Sequence, residues 1–589
     1  MSVNSRQSFD DKKDHDYAVE AVDPARMWDP EAATGGLQRG LKNRHIQMIA
    51  LGGVIGTALF IGTASALSDG GPLGMFLGFL SIASLCYAVM ACLGEMLVHT
   101  PIPGGHIASE VPPRTSPDLH NPPGPRYRFS DPGVADSHSS TPYHTSDQAL
   151  TFPSLAGRYF SDSMSFALGW FYWYLWTILF PTECSAVAIL FGYWLPDVNA
   201  AAWIVLSLVV CTILNSFSVR VYGESEFWFA SIKILLIVGL IITSIVVTSG
   251  GNPKHEVIGF KFWTGVNGPF QQYLGIPGAL GRFLGYWATL TRAAFGMVGV
   301  ENIGLTTGET KNPKSTMAKA IRRVWIRIVF FFCVTVFVLT LIMPSSDPRL
   351  KIKTGTAASS PFVLAFTRVG IRGLPHVINA GVLTSAFSAG SAHMYLGSRA
   401  LWALSFNGRA PKIFQRTNRY GTPYLCVAVA FAFGLLAFTS AGATSSAQVF
   451  DYFANMTSQV GLISWAGIAA TYLRFYQATK KQGFNRKELG YRGWFQPFVG
   501  WYTLIFTCIV TLFNAWTVFL KGHWDTADFI CGYLPVPLFF IAYFGHKFWT
   551  KSHMVPVMEV DLVSDSEPDE GEEVKPKGNI FARIWEAIV

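Results

Sequence analysis

Long runs of apolar residues alternate with short polar and charged connections along most of the chain. An α-helix needs about 20 apolar residues to cross the roughly 30 Å hydrocarbon core of a bilayer. The pattern therefore predicts an all-α membrane protein with about twelve transmembrane helices. The predicted spans are residues 46–67, 73–98, 164–195, 201–216, 226–248, 283–308, 322–343, 374–406, 422–439, 452–475, 497–520 and 529–548.

Polar tails flank these spans on both sides. Residues 1–38 lack the apolar stretch of a signal peptide, and we predict a disordered cytosolic tail there. We assign residues 39–548 to the membrane domain. Residues 549–589 form a second cytosolic tail with an acidic run, and we expect this tail to be solvated from Ser552 onwards.

One segment between the second and third spans does not fit a membrane domain. Residues 109–147 are rich in Pro, Ser, His and Asp and have almost no apolar content. Because such a composition cannot bury enough apolar surface to fold, we predict a disordered insertion in a cytosolic loop. Two origins are compatible with it, an unspliced intron in the gene or a natural loop insertion, and sequencing of the transcript distinguishes them.

The amino-acid composition agrees with a bilayer as the solvent. Hydrophobic residues make up 50% of the chain and charged residues only 14%, against about 25% in soluble proteins. The net charge is +8, and Lys and Arg cluster in the connections after the sixth, eighth and tenth spans. The positive-inside rule places these connections in the cytosol, together with both termini. No basic stripe with interleaved aromatic residues occurs, so we exclude nucleic acid as a partner.

Neither the cysteines nor the short motifs indicate a reactive centre. The eight cysteines lie within or at the ends of apolar runs, without CxxC pairs or nearby histidines. We therefore predict no metal, no cofactor and no disulfide. No HExxH motif, GxSxG motif or phosphate-binding glycine loop stands in a suitable context, so we do not predict an enzyme.

Glycine clusters lie in the middle of the first and sixth predicted spans. They read GGVIGTALFIG at 52–62 and GMVGVENIG at 296–304. Close helix packing explains scattered glycines, but paired clusters at these positions are typical of the discontinuous helices in a five-plus-five inverted repeat. An unwound helix frees backbone N–H groups for a carboxylate and carbonyl oxygens for an ammonium group. The pattern thus predicts a site for a zwitterionic amino acid.

Eight short motifs follow one another along the spans and connections. They read RGLKNRHIQ at 39–47, LGEM at 93–96, PIPGG at 101–105, GWFYWY at 169–174, EFWFASIK at 226–233, GETKNP at 308–313, GRAPK at 408–412 and TYLRF at 471–475. Together they resemble the fungal amino-acid permeases, the yeast amino acid transporter family of the amino acid–polyamine–organocation superfamily. The resemblance implies a secondary active transporter in the plasma membrane that imports amino acids by proton symport with alternating access. The alternative is an amino-acid sensor, although both tails are short for a signalling role.

The resemblance also implies a set of substrate-binding residues. The substrate carboxylate would meet the backbone amides around Thr57 and Ala58, and the ammonium group would meet carbonyls around Val54, Phe295 and Val298. Phe295 would cover the substrate as a lid. Two positions depart from the family pattern, since Ala58 replaces a glycine and Gly296-Met297 replaces Ser-Phe. The full set is Val54, Ile55, Gly56, Thr57, Ala58, Phe295, Gly296, Met297, Val298 and Gly299.

Ionisable residues inside the predicted spans are candidates for proton coupling, because a charge in the bilayer implies a partner or a function. Glu301 resembles a family glutamate linked to coupling, and Glu183 resembles a family acid near the substrate. Lys233 matches a lysine that takes the place of a sodium ion in proton-coupled relatives, and we expect either Glu301 or Lys233 to be the principal coupling group. For Glu95 we expect a helix-end or loop-pinning salt bridge. For Arg292 we weigh snorkelling towards the outer interface against recruitment of acidic substrates.

Overall fold

The computed structural model describes residues 48, 55–99, 151–304, 313–350, 360–442, 446–486, 489 and 491–562. All regular elements within these ranges are helical, which confirms the predicted all-α class. Five of the described helices are long and apolar enough to cross a membrane. The α-helices of eight or more residues are α1 (Thr63–His99), α2 (Thr151–Tyr159), α3 (Asp162–Phe191), α4 (Ala200–Ser216), α5 (Val219–Thr248), α6 (Gly278–Met297), α7 (Pro313–Ile342), α8 (Pro361–Arg368), α9 (Leu374–Phe406), α10 (Tyr424–Gly434), α11 (Ser446–Lys481), α12 (Phe498–Leu512), α13 (Thr526–Tyr533) and α14 (Pro535–Thr550).

Three features differ from a simple series of spans. A short π-helical turn, Ala58–Gly62, precedes α1, and α1 itself contains a bend at Gly71, where φ is +71° and Pro72 follows. The first and second predicted spans are therefore joined with only this bend between them. The helices α2 and α8 lie outside every predicted span. They have nine and eight residues, too few to cross a bilayer or to stand out as apolar runs.

The helices pack in two main groups. In one group α1 packs against α6 and α7, and in the other α3 packs against α9 and α11. Three tryptophans of the second group, Trp176, Trp402 and Trp465, are fully buried. On the outside of the bundle, apolar side chains such as Leu235 and Ile505 are exposed, as expected for surfaces that face lipid.

The two ends of the bundle have different chemistry, and we name them by their features. The vestibule end carries a polar cavity bordered by Asp69, Tyr273 and Asp528. The strap end carries the C-terminal part of α1 and the chain segment that follows α14. This segment, residues 552–562, is called the strap.

The strap corrects our expectation of a solvated tail. Val560 and Leu562 are each only 2% exposed, and Val555 and Val557 pack against the core. These four residues are too few to stand out as an apolar run, and an acidic run follows them directly in the sequence. The tail at 1–38, the insertion at 109–147 and the rest of the acidic run lie outside the described residues.

Candidate substrate and coupling site

The chain is not α-helical just before the helix of the first span. Residues Ile55–Thr57 form bends, and the π-helical turn begins at Ala58. The Ile55 carbonyl accepts a hydrogen bond from Ser385 Oγ at 3.3 Å, and the Phe60 carbonyl accepts one from Ser360 Oγ at 3.0 Å. Side chains from α9 and from the start of α8 therefore support this segment. Val54, which we predicted to belong to the site, lies outside the described residues.

The helix of the sixth span ends at Met297, in the middle of its glycine cluster. Val298 is extended, with φ −60° and ψ 138°, and Gly299 has φ +99° before a 3₁₀ turn, Val300–Gly304. A Cβ atom at Gly299 would also lie 2.9 Å from the ring of Trp176. Backbone conformation and space therefore both require glycine at this position.

The two interrupted segments face each other. A Cβ atom built on Gly296 would lie 3.6 Å from the Cβ of Ala58, and one built on Gly62 would lie 3.9 Å from the Phe295 ring. Of the predicted binding residues, the structure thus brings Ala58, Phe295 and Gly296 together. Met297 and Val298 are buried beside them. The two interruptions therefore lie in the same region of the bundle.

Glu183 contacts the first interrupted segment directly. Its Oε1 accepts a hydrogen bond from the Thr57 N–H at 3.4 Å, and its Oε2 has no hydrogen-bond partner among the described residues. A Cβ atom at Gly56 would lie 2.5 Å from Oε1, so the absent side chain of this glycine permits the approach. The backbone amide that the resemblance assigns to a substrate carboxylate therefore already meets a carboxylate of the protein.

Lys233 belongs to a buried group of charges on α5. Its Nζ lies 4.0 Å from Glu226 Oε1, and an electrostatic interaction links it to Glu183. Ser388 Oγ lies 2.8 Å from both oxygens of Glu226 and donates to this carboxylate. We did not predict Glu226, although its spacing of seven residues from Lys233 puts both on one helix face. In the same way, the spacing of three residues between Ser385 and Ser388 puts both serines on one face of α9.

Glu301 occupies a separate position beside the second interrupted segment. Its Oε2 accepts hydrogen bonds from the Gly299 N–H at 3.1 Å and from Trp465 Nε1 at 3.0 Å. Its Oε1 has no hydrogen-bond partner in the part of the chain that the structure describes. Each interrupted segment therefore has its own buried carboxylate, Glu183 at the first and Glu301 at the second.

At the vestibule end, a ring contact and an ion pair join α6 to α11. The rings of Phe295 and Phe450 meet edge to face with centroids 5.8 Å apart. One turn away, Arg292 Nη1 lies 2.9 Å from Asp451 Oδ1, and both side chains border the cavity of about 150 Å³. The Arg292 guanidinium group is therefore directed to a partner on α11 at the edge of this polar cavity. Asp69, Tyr273, Tyr452, Asn514 and Asp528 also line this cavity.

At the strap end, the fully buried Glu95 holds the connection that follows α11. Its Oε1 accepts hydrogen bonds from Arg486 Nη2 at 2.6 Å and from the Gly493 N–H at 2.8 Å. Its Oε2 accepts one from the Tyr472 hydroxyl at 2.7 Å. The loop-pinning salt bridge that we expected for Glu95 is confirmed.

Comparison with solved structures concerns the fold of the protein. The fold is similar to that of a manganese transporter from Eremococcus coleocola, solved with an aromatic bis-isothiourea compound, with a TM-score of 0.50 and 12% identity over 86% of this chain and 94% of that one. At this identity the likeness shows the fold alone, a helical transporter fold.

The sequence comparisons are more specific than the fold. The chain matches the family described as amino acid permease over residues 45–108 and 145–557, and it belongs to this family. It is therefore a multi-pass membrane protein whose relatives are transporters and not enzymes. The proline-specific permease of Saccharomyces cerevisiae is 37% identical over 90% of this chain and 78% of its own length. The dicarboxylic amino acid permease of the same yeast is 34% identical over 91% and 82%. The gap in the family match overlaps the predicted insertion.

Proposed function

We propose that the chain imports amino acids across the plasma membrane as a secondary active transporter, by proton symport with alternating access. Membership of the permease family supports import of amino acids. The observation on which the coupling proposal depends is the contact between the Thr57 amide and Glu183. In the orientation predicted from the basic connections, both termini are cytosolic. The strap end then faces the cytosol, and the vestibule end faces outwards.

We place the substrate between the two interrupted segments. Its carboxylate binds the backbone amides of Thr57 and Ala58 and replaces Glu183 as the acceptor at Thr57. Its ammonium group binds carbonyls around Val54, Phe295 and Val298. The ring of Phe295 closes the site towards the vestibule end, where it contacts Phe450. Backbone groups recognise what all amino acids share, so the side-chain preference depends on neighbours such as Met297.

Proton coupling follows from the position of Glu183. A substrate carboxylate at the Thr57 amide would lie beside the Glu183 carboxylate. Two like charges about 4 Å apart repel each other by about 4 kcal/mol at an effective dielectric constant of about 20. A proton on Glu183 removes this repulsion, so substrate and proton bind together. Lys233 and Glu301 complete the coupling group. The positive charge of Lys233 interacts with the Glu183 carboxylate and so influences when that carboxylate takes up a proton. Glu301 is bonded to the Gly299 N–H, so movement of the second interrupted segment changes the environment of its carboxylate.

Uptake measurements in a permease-deficient yeast test the function. We expect radiolabelled amino acids to accumulate against their gradient, faster at low than at neutral external pH, and a protonophore to abolish accumulation. A competition panel of the twenty amino acids identifies the substrates. Binding of an amino acid without uptake would contradict the transporter and support the sensor.

Substitution of the two carboxylates tests the coupling. Glutamine resembles a protonated glutamate, so we expect Glu183→Gln to bind substrate but to lose both the pH dependence and the accumulation. We expect Glu301→Gln to lose the pH dependence as well. The exposed Glu256 provides the control, because Glu256→Gln changes the same group in a loop. A variant that keeps normal pH dependence and accumulation excludes its glutamate from coupling.

The charges at the vestibule end help to predict which class of amino acid is transported. Asp451 offsets the charge of Arg292, and Asp69 and Asp528 line the same cavity. This arrangement disfavours recruitment of acidic substrates by Arg292. We therefore propose a neutral amino acid as the substrate, with proline as the first candidate because of the identity to the proline-specific permease. Strong competition by aspartate or glutamate in the panel would contradict this.

A further inference from the structure

The strap is held by hydrogen bonds to three different parts of the bundle. His99 Nε2, at the end of α1, lies 2.9 Å from the Leu562 carbonyl. The Val555 N–H donates to the Phe160 carbonyl at 2.9 Å, between α2 and α3. From α11 and the residues after it, Arg474 donates to the Val555 carbonyl, and Gln482 Nε2 donates to the Val557 and Val560 carbonyls at 3.0 and 2.8 Å.

A charge pair and apolar contacts complete this docking. Arg158 donates to both the carbonyl and the carboxylate of Asp561, at 3.0 and 2.9 Å. The side chains of Val560 and Leu562 are almost completely buried. Backbone, charge and apolar contacts thus act together, which distinguishes a docked segment from a tail that only rests on the surface.

The helices that the strap connects are those that form the candidate site. α1 continues from the first interrupted segment, α3 carries Glu183, and α11 carries Trp465, which binds Glu301. A path from the site to this end of the bundle requires these helices to separate. The strap bonds to α1 and α11 as described above, and to α3 through the hydroxyl groups of Ser552 and Ser163, which lie 2.8 Å apart. It must therefore detach from at least one of these helices for such a path to open.

We propose that the strap is a lock on the cytosolic side of the transporter, which undocks when substrate is released into the cell. The proposal rests on the proposed function for its orientation and its transport cycle. Docking lowers the population of the state that is open to the cytosol, so the strength of docking sets the transport rate. Any change that weakens docking should speed release.

Reversal of the charge on Asp561 tests the lock in the full chain. We expect Asp561→Arg to raise the initial uptake rate per molecule in the membrane by roughly two- to fivefold, the range expected from loss of a partly exposed ion pair. The double variant Arg158→Asp with Asp561→Arg should lower the rate again towards the original value, because it restores the ion pair but not the hydrogen bond from Arg158 to the carbonyl of residue 561. Glu559→Arg is the matched control, since it makes the same charge change at an exposed position of the strap.

Cysteine labelling follows the undocking directly. A cysteine at Val560 is buried when the strap is docked, whereas one at the exposed Met558 is accessible in either state. In intact cells, which N-ethylmaleimide enters by crossing the membrane, we expect the reagent to label Val560→Cys faster during uptake, and faster still with Asp561→Arg. Labelling of Met558→Cys should not change.

Truncation provides an independent comparison. A chain that ends at Leu562 keeps the strap, and a chain that ends at Lys551 lacks it, so only the second should transport faster. The lock is refuted if Asp561→Arg and Glu559→Arg transport equally and uptake leaves the labelling of Val560→Cys unchanged. Failure of the proposed function would look different, because the unchanged chain would then show no uptake at all.

Discussion

The two ends of the bundle are closed by contacts of different kinds. At the vestibule end, an ion pair between side chains that are 21% and 14% exposed and one aromatic contact lie next to a cavity. At the strap end, the Glu95 carboxylate is 0% exposed and has three donors. The strap adds further hydrogen bonds there. The described conformation is therefore closed more firmly at the strap end.

This difference indicates which end opens at the lower cost. Partly exposed ion pairs contribute about 0–1 kcal/mol, because water replaces much of what is lost when they separate. Separation of a buried carboxylate from its donors costs several kcal/mol. In the proposed orientation, exchange with the outside is then the easier step, and opening to the cytosol needs an additional contribution from bound substrate and proton.

The largest effect is expected from removal of Glu95. We expect Glu95→Ala to lower the free energy of unfolding by about 3 kcal/mol, the lower end of the range for breaking a buried ion pair, because Arg486 is partly exposed. The corresponding change at the vestibule end, Asp451→Ala, should cost about 1 kcal/mol. Unfolding in mixed micelles titrated with denaturing detergent measures both. Equal losses for the two variants would remove the contrast between the ends.

Much of this architecture could be predicted from the sequence. The apolar runs locate most helices because a bilayer requires about 20 apolar residues in succession. The glycine clusters locate the interruption at Gly299, where a positive φ and the nearby Trp176 ring both exclude a side chain. Charges within spans identify Glu183 and Glu301, because a buried carboxylate has few roles in a membrane.

Contacts between distant parts of the chain could not be predicted. The partners of Arg292 and Glu226 are Asp451 on α11 and Ser388 on α9, and only the packing of the helices brings them together. The strap was missed for a related reason. Burial of its few apolar residues depends on helices that are distant in the sequence, so the sequence alone does not indicate it. The acidic residues, in contrast, are obvious in the sequence and suggest a solvated tail.

Two tyrosines allow the strap end and the vestibule end to be compared through a single hydroxyl group at each end. The Tyr472 hydroxyl donates to Glu95 in the buried strap end, whereas the partly exposed Tyr452 hydroxyl interacts with Gln448 and Asp525 at the vestibule end. We expect Tyr472→Phe to cost about 1.5–3 kcal/mol of unfolding free energy, as for a hydrogen bond to a charged group. Tyr452→Phe should cost less than about 0.5 kcal/mol.

Each tyrosine variant is a control for the other, because both keep the ring and lose one hydroxyl group. The same detergent titration applies. Suppose that Tyr452→Phe destabilises the protein as much as Tyr472→Phe. Burial of the hydroxyl group would then not determine how much it contributes to the free energy of unfolding, and the contacts at the two ends of the bundle would be similarly strong.

A smaller effect than those at Glu95 and Tyr472 is expected from the ion pair of the vestibule end, and it concerns opening of that end. Arg292→Gln removes the charge that joins α6 to α11 and leaves Phe295 and Phe450 in contact. We expect the open population to rise roughly fivefold, corresponding to about 1 kcal/mol. The labelling rate of a cysteine at Ala288, which lines the cavity, measures this population.

Three further variants show whether this effect is specific to the vestibule end. Asp451→Asn breaks the same pair, so it should accelerate labelling at Ala288→Cys to the same extent, and the double variant should add nothing more. Arg486→Gln weakens the strap end and should leave this labelling unchanged. If instead Arg292→Gln lost only aspartate and glutamate uptake, with normal labelling, the guanidinium group would bind acidic substrates and would not hold the vestibule end closed.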